Sequence, residues 1–195
     1  MQSLMHDQPM ITFGSLQTQS VTVQGLGALE WLLFDSAVKE FDAETVCHWQ
    51  KVVAQSIAVS SKIIAQSWAS NPWQPLSDEQ WQQESFTTVN NQLDFMLKKM
   101  ALPLGKAGKP KPYFAEAWRS QNSYQNLYSN LNALKSTLMV ERGVLDQLHE
   151  VDPQLYTLIT QSLQEAMEAW PQTTSLFLAL PTDEGYRDAL NATIV

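Results

Sequence analysis

Between Asp42 and Ala69 apolar side chains recur at three-, four- and seven-residue steps: Val46, Trp49, Val53, Ile57, Ile64 and Trp68. That spacing is the signature of one face of a long α-helix. Asp42 is placed to cap its start. Asn71-Pro72-Trp73-Gln74-Pro75 stops it, because each proline disfavours helical geometry in the residue before it. At 1.5 Å per residue the helix would span roughly 40 Å. A rod of that length with one apolar stripe must lie against other helices, which directs the chain towards a bundle.

The rest of the sequence agrees. Ser77-Asp78-Glu79-Gln80 is a capping box, in which Ser77 and Gln80 serve each other's free backbone N–H groups. The helix behind it carries Trp81, Val89, Leu93, Met96 and Met100 on one side. Pro103 to Pro112, rich in Gly, Lys and Pro, is expected to be a loop. A further helix begins near Ser123, its expected N-cap, and uses Leu127, Leu131, Leu134 and Leu138. Asp152-Pro153 opens the next with a cap and a proline in the first helical position. Leu155, Leu158, Ile159, Leu163, Met167 and Trp170 form its apolar face. A short last helix is predicted from Asp183 to about Thr193. No segment alternates as a strand does, so the predicted fold is all-α, an up-and-down bundle of long amphipathic helices.

Charge and composition narrow the function. With 20 Asp and Glu against 12 Lys and Arg, the net charge of -8 disfavours a nucleic-acid partner, which needs a clustered basic face. One cysteine, Cys47, rules out an internal disulfide or a thiolate metal cluster made by this chain alone. No apolar run is long enough to span a membrane. Residues 1–10 lack the basic start and apolar stretch of a signal peptide. Lys98, Lys99, Lys106, Lys109 and Lys111 concentrate positive charge around one loop, suited to an anion, a polyanionic glycan or a lipid headgroup, or simply to solvent.

Two stretches point to a site. Gly25-Leu26-Gly27-Ala28-Leu29-Glu30-Trp31-Leu32-Leu33-Phe34-Asp35 reads as an apolar helix with a single carboxylate. A carboxylate in such surroundings, if buried, must be paired or neutralised. Gly27 shares a helical face with Glu30, and a glycine inside a helix costs about 1 kcal/mol relative to alanine, so a packing or functional reason is expected. The second stretch is Tyr113-Phe114-Ala115-Glu116-Ala117-Trp118-Arg119-Ser120-Gln121-Asn122-Ser123. Its Arg119 could pair with Glu30 or with an acidic ligand. Ser120 has no identifiable histidine base, so no nucleophile is assigned. His6 falls in a start expected to be disordered, while His48 and His149 read as structural or surface residues.

Both stretches resemble those of the imelysin-like proteins, a group that includes the iron-regulated protein A type and has been classed as peptidases. The family pattern is Gly-x-His-x-x-Glu followed by an aromatic and a Leu-Leu run. Gly25, Glu30 and Trp31-Leu32-Leu33-Phe34 match it, whereas Gly27 stands where the family has His. The second stretch is similar to a family segment with a Glu, an Arg or aromatic, and a Ser, followed by a second Ser at a helix start. The resemblance covers residues 21–195, leaves 1–20 unassigned, and implies that the chain is part of a longer two-bundle architecture, either a fragment or one part of a split product.

The resemblance implies a periplasmic or lipid-anchored protein at the cell envelope, with Gly25, Gly27, Glu30, Arg119, Ser120 and Ser123 lining a ligand site. Iron or another divalent metal is the implied cofactor, with Glu30 the only candidate ligand and no complete set. Three functions follow as expectations. The first is a non-catalytic envelope protein in iron-linked uptake or ligand binding, its partner a small ligand, a metal ion or an envelope protein. The second is a metal-dependent peptidase using Glu30. The third is a helical scaffold for a partner protein.

Overall fold

A computed structural model describes residues 1–106, 109–141, 143–170 and 175–194, with side chains as far as Leu190. Among these residues there are ten α-helices and no strand, so the fold is an all-α helical bundle, as the periodicity predicts. Residues 107–108 of the expected loop and Val195 lie outside the described residues. The chain divides into two compact units, Met1–Trp81 and Gln82–Val195.

In the first unit, α1 (Gln2–Asp7) and α2 (Phe13–Gln17) precede α3 (Leu26–Phe34) and α4 (Ala43–Ala69). Residues 1–17, expected to start in disorder, are ordered instead. Met5, Ile11 and Leu16 are buried with Val23, Ala28, Leu32, Val52 and Val53 around the fully buried Trp49. Polar contacts fix them: the Trp49 indole N–H donates to the Gln8 carbonyl at 3.1 Å and the His48 Nε2–H to the Ile11 carbonyl at 2.6 Å. His6 lies on α1 with its ring 4.6 Å from that of Phe41.

Helix α4 has the predicted bounds, and Asp42 caps it by accepting from the Thr45 N–H at 2.8 Å. Only the first half of its stripe is covered. Thr45, Trp49, Val52, Val53 and Ser56 are buried, whereas Ile63, Ile64 and Trp68 are exposed. At the turn beyond it Trp68, Trp73 and Trp81 pack edge to face, with centroids 6.2 and 5.0 Å apart.

The unit boundary falls within α5 (Asp78–Leu104), whose capping box forms as read: Ser77 N–H donates to Gln80 Oε1 at 2.9 Å and Gln80 N–H to Ser77 Oγ at 3.3 Å. The helix continues two residues into the expected loop, carrying Pro103 in its last turn. There the missing N–H costs the Lys99 carbonyl its helical donor at the point where the helix is ending, and the Pro103 carbonyl accepts from the Lys111 N–H at 2.7 Å. Gly105 then reverses the chain at φ 65°, where a side chain would collide with the Lys109 carbonyl.

The second unit continues with α6 (Ser123–Leu138), α7 (Val144–Val151), α8 (Pro153–Glu168), α9 (Leu176–Thr182) and α10 (Glu184–Ile194). Its core joins Met96 and Met100 of α5 to Ala115, Leu127, Leu131, Trp170, Leu176, Leu180, Tyr186 and Leu190. Asp152 caps α8 by accepting from the N–H groups of Gln154 and Leu155. Helix α8 itself buries none of its residues, and Leu155 and Leu158 of its predicted apolar face are exposed.

Candidate functional site

The residues singled out in the sequence fall in both units: Gly25, Gly27 and Glu30 in the first, Arg119, Ser120 and Ser123 in the second. Each group is built by its own local geometry.

Gly25 is the N-cap of α3 and Gly27 lies in its first turn, so neither is the helix-interior glycine expected. Packing explains neither. A Cβ added at either position meets nothing within 4 Å, and Gly105 is the one glycine with positive φ among the described residues. The expected packing reason is therefore absent. Ala28 and Leu32 face the core. With about 100° between successive residues, Glu30 falls on the opposite side, flanked by Leu26, Gly27, Leu33 and Phe34.

That outer face is open. Leu26 is 73% exposed, Leu33 and Phe34 are also exposed, and Glu30 is half-buried rather than buried. A helix apolar all round belongs between two layers; α3 is enclosed on one side only. The Glu30 carboxylate thus shares an open face with Leu26, Leu33 and Phe34, and Gly27 puts no side chain beside it.

In the second unit the 112–123 segment is a tightly wound connection. Pro112–Phe114 forms a 3-10 turn, and Ala117 and Gln121 take left-handed backbone conformations at φ 49° and 58°. For residues with a Cβ that geometry costs roughly 1–2 kcal/mol each, so the surroundings must enforce it. The Ala117 carbonyl accepts from the Asn122 N–H at 3.2 Å and from Ser120 Oγ at 3.1 Å. Ser123 is fully buried and its hydroxyl donates to the Glu116 carbonyl. It is the first residue of α6; Asn122 takes the N-cap position expected of Ser123. The reason is that the Ser123 hydroxyl is drawn back across the loop.

Two side chains in this loop face the ligand question directly. Arg119 is half-buried, with its guanidinium carbon 4.2 Å from the centre of the Trp118 ring. Trp118 in turn packs with Tyr113 and Phe177. Glu116, quoted in the sequence motif but not assigned a site role, holds its Oε2 buried without a hydrogen-bond partner among the described residues. A buried carboxylate oxygen lacking a donor costs roughly 1–3 kcal/mol or more. The signal that could have found it is the one used for Glu30: a lone carboxylate among Tyr, Phe, Ala and Trp.

Metal chemistry would draw on these same carboxylates. Among the described residues no three His, Cys, Asp or Glu side chains converge as a metal-binding group. No described helix is long and apolar enough to cross a membrane. In comparison with known proteins, residues 1–194 match the model of the imelysin family, peptidase M75. No curated protein and no solved structure gives a match.

Proposed function

Since this chain belongs to the imelysin family, by a match that runs over residues 1–194, we propose that it is a non-catalytic member acting in ligand binding at the cell envelope, in iron-linked uptake. The observation that carries this reading is Gly27 beside Glu30 on the open face of α3. Where the family pattern has an imidazole, this chain supplies no ligand atom. A hydrolytic zinc site usually needs three protein ligands and an activated water. What Gly27 leaves is room for a bound group beside the half-buried carboxylate, on a face whose other side chains are apolar.

The buried Glu116 Oε2, which has no hydrogen-bond partner among the described residues, supports the same reading. It is an acceptor aligned by a strained loop, and a cation or an N–H donor would satisfy it. A periplasmic or lipid-anchored location follows from the family and belongs to the proposal. So does a larger two-bundle architecture.

The test is a pair of measurements on the purified chain: calorimetric titration with ferrous, ferric and zinc ions, and cleavage of a fluorogenic peptide library with zinc present. The expected result is no cleavage by the native chain. Any ion binding that occurs should be weakened by Glu30→Gln or Glu116→Gln. Zinc-dependent cleavage abolished by Glu30→Gln would overturn the proposal in favour of the peptidase. A constructive test is also available. A Cβ at position 27 meets nothing within 4 Å, so Gly27→His would put an imidazole one turn from Glu30 and should raise zinc affinity over the native chain.

A further inference from the structure

Positive charge in this acidic chain is segregated. From Phe95 to Ala115 there are five lysines and no Asp or Glu, against a net charge of -8 for the whole. The structure folds this stretch back on itself. Gly105 N–H bonds the Ala101 carbonyl at 3.0 Å, Lys109 N–H the Lys106 carbonyl at 2.8 Å, and Lys111 N–H the Pro103 carbonyl at 2.7 Å. Met100, Pro103 and Ala115 are buried beneath it, so the surface is anchored to the second core.

On this anchored surface, exposed lysines alternate with exposed large apolar groups. Lys98, Lys106, Lys109 and Lys111 are exposed. Tyr113 is 67%, Phe114 57% and Leu102 53% exposed. Cation and ring are displayed together: Lys111 Nζ lies 5.7 Å from the Phe114 centroid and Lys99 Nζ 5.1 Å from that of Phe95.

We propose that the surface carrying Leu102, Lys106, Lys109, Lys111, Tyr113 and Phe114, with Lys98 and Lys99 behind it, docks on an anionic lipid bilayer. A solvated lysine loop has no use for an exposed Leu, Tyr and Phe flanking it. Lys98 pairs with Asp94 at 2.5 Å, but Lys99, Lys106, Lys109 and Lys111 have no ion pair among the described residues, and an apolar docking patch for another protein has no use for four such cations. Both features are used at a bilayer surface: lysines are drawn to anionic headgroups while aromatic rings settle at the headgroup level. The remaining surface, being strongly acidic, is repelled by the same membrane, so the contact also fixes orientation.

The experiment is co-sedimentation of the full chain with vesicles of phosphatidylcholine alone and of phosphatidylcholine with phosphatidylglycerol. Binding is expected only to the anionic vesicles, and it should be lost at high salt. The K106E/K109E/K111E variant should reduce it by at least about tenfold, given the contribution each lysine makes near such a surface. Y113S/F114S should weaken binding while leaving its salt dependence. The altered side chains are exposed, and far-UV circular dichroism verifies that each variant is folded. K51E/K62E, which reverses two lysines elsewhere, should have little effect. Failure to bind anionic vesicles, equal binding to neutral ones, or equal losses in K51E/K62E and the triple variant would each overturn the proposal. So would abolition by millimolar glycerol phosphate, which would identify a site for a small free anion.

Discussion

Gly27 and Ser123 show how differently single residues stand in this fold. Gly27 is exposed, has an ordinary helical backbone and faces open space, so nothing structural requires glycine. Gly27→Ala is expected to stabilise the chain by about 0.5 kcal/mol, the first helical turn recovering part of the usual glycine penalty. The urea midpoint measures this, and a loss of stability would mean that the position is already constrained. Ser123 is the opposite case. Its buried hydroxyl satisfies the Glu116 carbonyl, and Ser123→Ala should cost about 1–3 kcal/mol by leaving that carbonyl unpaired. Ser120 and Ser123 were legible as members of a motif, but their bonds to Ala117 and Glu116 were not. Those partners are set by the left-handed turns at Ala117 and Gln121, which the sequence carries no glycine or asparagine to announce. Arg119 is similar: its stacking on Trp118 depends on that same turn.

At the scale of elements, what was local was readable. The Asp42 and Asp152 caps, the Ser77–Gln80 box and the span of α4 all follow from neighbours two to four residues apart. What covers each element was not readable, because apolar periodicity marks a face without saying what lies against it. Helix α3 gives the sharpest comparison. Leu32 is buried and adjacent Leu33 is exposed, although the sequence treats the two alike. Leu32→Ala should cost about 2–5 kcal/mol and Leu33→Ala within about 0.5 kcal/mol, as read by denaturant unfolding of each variant. Equal costs would show that the outer face of α3 is covered in solution. The distal half of α4 repeats the lesson, since Ile64 and Trp68 continue the stripe begun by Trp49 and yet remain exposed.

For the molecule as a whole, pH reports on the second core. Burial pushes the Tyr186 phenol well above its ordinary range, and the neighbouring Tyr124 and Asp183 add to the effect. The raised value belongs to the folded state. Its stabilising contribution is therefore complete below the unfolded value of about 10 and is lost progressively as pH rises beyond it. Between pH 8 and pH 11 the urea midpoint of the native chain should fall further than that of Tyr186→Phe; identical losses would dissociate alkaline sensitivity from this residue. The sequence alone determined the all-α class, the long helices and their caps, because these depend on the period of side chains and on contacts within one turn. Only the tertiary structure decided that the chain makes two cores, that residues 1–17 belong to the first, and that the Glu30 face looks outward. It alone revealed Glu116 with a buried oxygen lacking a donor among the described residues. Burial and orientation are sums over segments distant in sequence, and no local pattern contains them.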